Sequence, residues 1–287
     1  MYQAHKTRNV LLYTCHDETP FGHDPFVYES YIGIIMSGSA DHYMADGVIT
    51  YPTGSLCLVK RNQLLKVVKK PDGQKPFATI TVFLEQETLK EYSAQHQVKA
   101  DGVYTGEPVS LVENDAFLSG YFNSLLPYFE QPEKLTPILA QAKTTEVIAL
   151  LLRNPALKNF LFDFSEPHKL DLEAYMHRHF SYNVPLTQFA KLTGRSLSTF
   201  KRDFARIFST TPEKWLQKQR LEQAHFLVTQ KNKRPSDIYL ELGFETLSHF
   251  SYAFKKQFGQ TLTALQILAR AKHLPGQSGP GLATSLS

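Results

Sequence analysis

Only two cysteines, Cys15 and Cys57, occur in 287 residues, and neither belongs to a CxxC pair. This excludes a disulfide framework and a cysteine-rich zinc site, and leaves two reduced thiols in the core or on the surface. Long apolar runs are missing as well. Stretches such as TEVIALLL, at 145 to 152, fall far short of the roughly 18 residues of a membrane span. The opening MYQAHKTRNVLLYTCHDETP lacks the basic start, apolar core and cleavage site of a secretory signal, so a cytoplasmic location is expected. No Gly-rich phosphate loop, GxSxG elbow or HExxH occurs, so the chain offers no catalytic constellation, is not read as an enzyme and calls for no cofactor. Nor do the histidines suggest a metal site. His42 stands alone, His16 and His23 fall in an expected loop, and His177 and His179, two apart on an expected helix, point away from each other.

What is present is an ordinary globular composition with 42% hydrophobic residues and enough length for two domains. Charge divides unevenly along it. Residues 171 to 273 hold 16 Lys and Arg against 8 Asp and Glu, a net +8, whereas the remainder nets −4. A polyanion is therefore the natural partner of the C-terminal part.

From about 8 to 84 short runs rich in Tyr, Ile, Val and Thr alternate with turn signals such as SGS, ADG, YPTG and PDGQKP, the pattern of an antiparallel sandwich or small barrel. Within it, KRNQLLKVVKK (60 to 70) reads as a solvated β edge whose lysines discourage aggregation, or as an effector or partner contact. From about 112 to 162 the spacing becomes helical, with Pro127, Pro132 and Pro137 as breaks. FSEPHKLD (164 to 171) marks a boundary. The expected domains are 1–165, β-rich with helices in its second half; 168–273, all helical; and a disordered Gly, Pro and Ser tail at 274–287.

The helical part repeats itself. At a shift of fifty residues Phe200, Phe204 and Phe208 fall on Phe250, Phe254 and Phe258; at forty-nine, Phe189 and Gly194 fall on Ile238 and Gly243. In each copy a short helix runs into a glycine that lets the backbone reverse, Ser196 or Thr246 caps a second helix, and the phenylalanines form its inner stripe. That is a helix-turn-helix. The outer face of the first copy carries Arg195, Ser198, Thr199, Lys201, Arg202 and Arg206. That of the second carries Thr246, Ser248, His249, Ser251, Tyr252, Lys255 and Lys256. These are candidate DNA contacts: basic side chains for phosphates or guanines, hydroxyls and histidine for shorter contacts. Asp203 is the main acidic exception. A basic outer face alone describes many solvated helices, but two in register within a net +8 region favour DNA. Between the copies TPEKWLQKQRLEQAHFLVTQ (211 to 230) reads as one helix of roughly 18 residues, about 27 Å long. That length could hold two recognition helices near the ~34 Å repeat of B-DNA.

The stretch from about 170 to 268, on FAKLTGRSLSTFKRDFARIF, TPEKWLQKQRLEQAHFLV and IYLELGFETLSHFSYAFKKQFG, resembles the AraC family of bacterial transcription regulators. The sequence departs from the family pattern at Tyr239, where alanine is usual, at Leu262 in place of proline, and at Gln266 in place of arginine. Leu262 is expected to weaken the start of the terminal helix, and Tyr239 must find room beside the recognition helix. In texture, YIGIIMSGSADHYMADGVITYPTGSLCLV is similar to the cupin-like sensory domains of that family. The resemblance implies an α+β multidomain protein: a β-rich cupin-like barrel with a helical extension, then an all-α domain with two helix-turn-helix units. It further implies a DNA-binding transcription activator that contacts RNA polymerase. Its N-terminal part would answer to a small-molecule effector or regulatory protein, or form a homodimer. The rival readings are a β-barrel enzyme with an accessory DNA module, and a regulator governed by a protein partner in place of a ligand.

Overall fold

In the computed structural model, strands that are apolar on both faces organise the first part of the chain. In β4 (Ser30–Ser37) Ile32 and Ile34 face one core while Tyr31 and Ile35 face another; in β7 (Leu56–Val59) Leu56 and Leu58 oppose Cys57 and Val59. Such strands must be covered on both sides. The structure describes residues 3–7, 10–16, 25–44, 47–73, 75–165 and 169–272, and the chain divides into two units, 1–207 and 208–287.

In the first unit β4 and β7 are neighbouring inner strands of a six-stranded antiparallel sheet. Its order is β1 (Gln3–Thr7), β2 (Leu11–His16), β10 (Phe77–Leu84), β4, β7 and β11 (Val109–Val112). One face is covered by helices α1 (Gln86–His96), α2 (Ala116–Glu130), α3 (Pro137–Leu151) and α4 (Leu157–Phe162), whose Leu89, Phe122, Ile148 and Phe160 pack with Ile32, Leu58 and Ile80. Toward the other lie a three-stranded sheet, β6 (Gly47–Pro52), β5 (Ser39–Met44) and β9 (Lys66–Lys70), and a pair, β3 (Phe26–Val27) with β8 (Gln63–Leu64). Ile35, Ala40, Tyr51, Val59, Leu65 and Phe77 form the second core there. Gly38 is required where β4 turns into β5: its φ is +82°, and a Cβ would collide with the Lys70 carbonyl.

Several expectations change. The helix α1 was not legible, because QETLKEYSAQH buries only Leu89. Pro127 does not break α2; it sits near its end, where it removes one ladder hydrogen bond, and Gln131 N–H still reaches the Pro127 carbonyl at 3.0 Å. Pro137 begins α3, capped by Thr136. His16 ends strand β2 and is not in a loop, while His23 lies outside the described residues. The run at 60 to 70 does supply the edge strand β9, but its lysines are not simply solvated. Lys60 Nζ donates to the Phe160 carbonyl at 2.8 Å, burial pushes its amine down to about 8, and Lys70 pairs with buried Asp41 at 2.5 Å.

The first unit also takes in α5 (Leu172–His179), α6 (Leu186–Leu192) and all but the end of α7 (Leu197–Phe208). The Tyr182 hydroxyl donates to the Tyr43 carbonyl at 3.2 Å and the Gln188 amide to the Tyr28 hydroxyl at 3.4 Å, so the expected boundary at 164 to 171 falls inside this unit. The expected tail, 274–287, lies outside the described residues.

The second unit packs α8 (Pro212–Gln230), α9 (Pro235–Ile238), α10 (Leu247–Phe258) and α11 (Leu262–Lys272) around Leu221, Ala224, Val228, Ile238, Phe250 and Phe254. Leu262 begins the last helix with its side chain in this core, and Thr261 caps the helix by accepting from Ala264 N–H at 3.2 Å. Tyr239 finds its room half-buried against the same cluster. Among the described residues no helix is long and apolar enough to cross a membrane, and no group of three or more His, Cys, Asp or Glu could hold a metal ion.

Candidate nucleic-acid interface

The two copies turn with the same hydrogen bonds. After α6, Gly194 N–H donates to the Lys191 carbonyl at 3.0 Å and Arg195 N–H to that of Ala190 at 2.9 Å. After α9, Gly243 N–H donates to Leu240 at 3.0 Å and Phe244 N–H to Tyr239 at 2.9 Å. Both glycines hold positive φ, +64° and +79°, as the reversal requires. The single extra residue of the second copy comes after this turn, so Ser196 and Thr246 again match. Ser196 Oγ accepts from Thr199 N–H and Thr246 Oγ1 from His249 N–H, both at 3.2 Å. The helices they cap are held by Phe200 and Phe204, and by Phe250 and Phe254, all fully buried.

Opposite those rings the polar faces are open. Ser198, Lys201, Arg202 and Arg206 on α7 are exposed and Thr199 is half-buried; Thr246, Ser248, His249, Ser251, Tyr252, Lys255 and Lys256 are exposed at or on α10. In α7 Ser198 and Thr199 lie in the first turn and the long basic chains come later; in α10 Ser248 and His249 lie in the first turn, Ser251 and Tyr252 in the second, and Lys255 and Lys256 beyond them. This arrangement suits base edges at the helix start and phosphates along the flank. The hydroxyls of Ser198 and Thr199 lie 3.1 and 3.0 Å from Ser196 Oγ, so the first helix begins with a linked polar cluster.

Arg195 does not share this face. Its side chain is only 6% exposed; Nε meets Asp203 Oδ2 at 3.2 Å, and Nη1 donates to the carbonyls of Thr193 (2.6 Å) and Leu170 (3.0 Å). Asp203 is accordingly no acidic blemish on the outer surface: it is buried, and the Arg195 hydrogen bond, with Lys169 and Arg206 nearby, holds its carboxyl below the usual carboxylate range. In the second copy a different arginine, Arg220 of α8, donates to the Gly243 carbonyl at 3.2 Å, with burial pushing its guanidinium down to about 10. Sequence reasoning did not find this support, although an arginine amid the apolar spacing of α8 is its trace.

Residues 189–266 match a helix-turn-helix domain model, and residues 30–162 match the ExsA N-terminal regulatory domain. Both matches make the chain similar to the AraC family. It is a DNA-binding transcription regulator with an N-terminal regulatory domain. It is 24% identical to the HTH-type transcriptional regulator ExsA of Pseudomonas aeruginosa over 86% of this chain and 90% of that protein. With the virulence regulon transcriptional activator VirF of Yersinia enterocolitica it shares 26% identity over 55% of this chain and 59% of that one. A solved structure of ToxT from Vibrio cholerae aligns over 93% of this regulator and 98% of its own chain at 10% identity, with a TM-score of 0.39.

Proposed function

We propose that this regulator is a transcription activator that reads two successive major-groove segments, one with α7 and one with α10. The observation that carries this is the matched pair of turns, each presenting a capped helix with a buried aromatic stripe and an open polar face. Thr199 and Ser198 on one helix, and Ser248, His249 and Ser251 on the other, contact base edges; Lys201, Arg202, Arg206, Tyr252, Lys255 and Lys256 anchor to phosphate or guanine. Thr246 contributes from the start of α10. Activation rests on the names of relatives such as VirF and implies contact with RNA polymerase.

The N-terminal domain sets the activity of the DNA-binding part, through a small-molecule effector or a regulatory protein. A thermal-shift screen beside a pull-down separates the two kinds of signal.

The test of the DNA reading is selection from random duplex DNA by the purified full chain, followed by affinity at several salt concentrations. Two enriched blocks about 10 base pairs apart are expected. Weak binding of every sequence, steeply salt-dependent and without a motif, would overturn the two-unit reader.

A further inference from the structure

We infer that Arg195 and Asp203 form an internal brace that sets the pose of the first recognition helix, so that both are positioning residues and neither touches DNA. The inference rests on the DNA-binding role proposed above. Arg195 leaves the turn just after Gly194, and its guanidinium joins three pieces of chain at once: Asp203 in the second turn of α7, the Thr193 carbonyl in the reversal, and the Leu170 carbonyl ahead of α5. The Leu170 N–H in turn donates to the Thr193 carbonyl at 3.4 Å, closing the link. A planar fork with several donors can tie three elements in one geometry, which a lysine cannot do.

The second copy shows what this position is for. By the turn hydrogen bonds Arg195 corresponds to Phe244, and by the phenylalanine stripe Asp203 corresponds to Ala253. Both counterparts are buried in the core of the second unit, with the Phe244 ring 4.8 Å from that of Phe250. The same two places therefore face inward in both copies: one copy fills them with an ion pair, the other with a ring and a methyl group.

The brace also reaches the DNA-facing side. Arg202 Nε and Arg206 Nη2 lie 3.9 and 4.0 Å from Asp203 Oδ1, and Lys169 Nζ lies 4.0 Å from Oδ2. Asp203 thus gathers the exposed arginines of α7 about one carboxylate. Arg195 neutralises it from within, and the depressed carboxyl agrees with that arrangement.

The opposite reading makes a clean contrast. If Asp203 were a surface acid on a DNA-binding helix, Asp203→Asn would tighten binding, and if Arg195 held a phosphate, Arg195→Gln would lower the salt slope by about 0.9. The brace requires the reverse. Each single substitution should weaken binding by about five- to a hundredfold, the loss that attends one misread base pair, and leave the slope unchanged. The double variant Arg195→Phe with Asp203→Ala, which copies the second unit, should recover most of the affinity.

The experiment measures the selected duplex at several salt concentrations for wild type, both singles and the double. Hydrogen exchange of residues 193–208 in the free chain is measured alongside, with residues 243–258 as internal reference. Faster exchange in the first segment alone, restored in the double, is the expected result and needs no DNA. Failure of wild type to select a motif would count against the proposed function while this exchange result still stood. Tighter binding by Asp203→Asn, a slope lowered in Arg195→Gln, or a double variant no better than the singles would each overturn the brace.

Discussion

Acid should loosen the β-rich unit, and the share due to His42 can be worked out from its surroundings. The imidazole is 5% exposed on β5, edge-on to Tyr51 at 4.6 Å, and its Nδ1 has no hydrogen-bond partner among the described residues. Burial pushes its pKa from 6.5 down to about 4, with Asp41 opposing the shift. As pH falls through 6.5 the unfolded chain takes up a proton that the folded chain refuses, so stability is full above 6.5 and declines until about pH 4. Between pH 7 and pH 5 these values correspond to a loss of about 2 kcal/mol, which moves a urea midpoint by on the order of 1 M. Twelve of the fourteen tyrosines lie in residues 1–207 and the single tryptophan, Trp215, in the second unit, so tyrosine near-UV dichroism and tryptophan emission report on the two units separately. The measurement compares wild type with His42→Leu at both pH values. The two proteins differ only at residue 42, so the difference between their profiles isolates His42. Parallel pH profiles for the two proteins would refute the buried neutral imidazole.

Lys69→Met should stabilise the first unit: the amine is pushed down to about 8 by burial and has only the Thr14 hydroxyl, 3.4 Å away, as a polar partner among the described residues. A gain of about 1–2 kcal/mol is expected, a rise of about 3–6 °C in Tm, read by calorimetry. Ser209 holds φ +54° where the second copy has Gly259 at +72°, so Ser209→Gly should add about 0.5–1 kcal/mol in urea denaturation, and a loss would show the left-handed turn to be unstrained. Arg206→Ala and Lys255→Ala should each weaken binding to all duplexes and lower the salt slope by about 0.9. Changes at Thr199 or His249 should instead alter which bases a repeated selection tolerates.

The helical repeat could be read directly because its signals are local. Phe200, Phe204, Phe250 and Phe254 recur every fourth residue, Gly194 and Gly243 stand at the reversals, and Ser196 and Thr246 cap the second helix of each copy; each needs only its neighbours along the chain to be recognised. The run of β strands was legible for the same reason, in short stretches rich in Tyr, Ile, Val and Thr set between turn signals. Pairing was not: that β10 lies between β2 and β4, or that β7 joins β4 to β11, depends on contacts distant in sequence. The helix α1 escaped notice because one buried leucine in eleven residues makes no stripe. Lysines of 60 to 70 looked solvated because burial is not written in a basic run. Arg195 and Asp203 are the sharpest case. By composition and position the sequence alone determined a basic helix-turn-helix face and placed both residues on it. Only the tertiary structure decided that these two turn inward, because a charge is buried when an opposite charge and spare carbonyls await it, and here those partners come from Thr193 and from Leu170, twenty-five residues away.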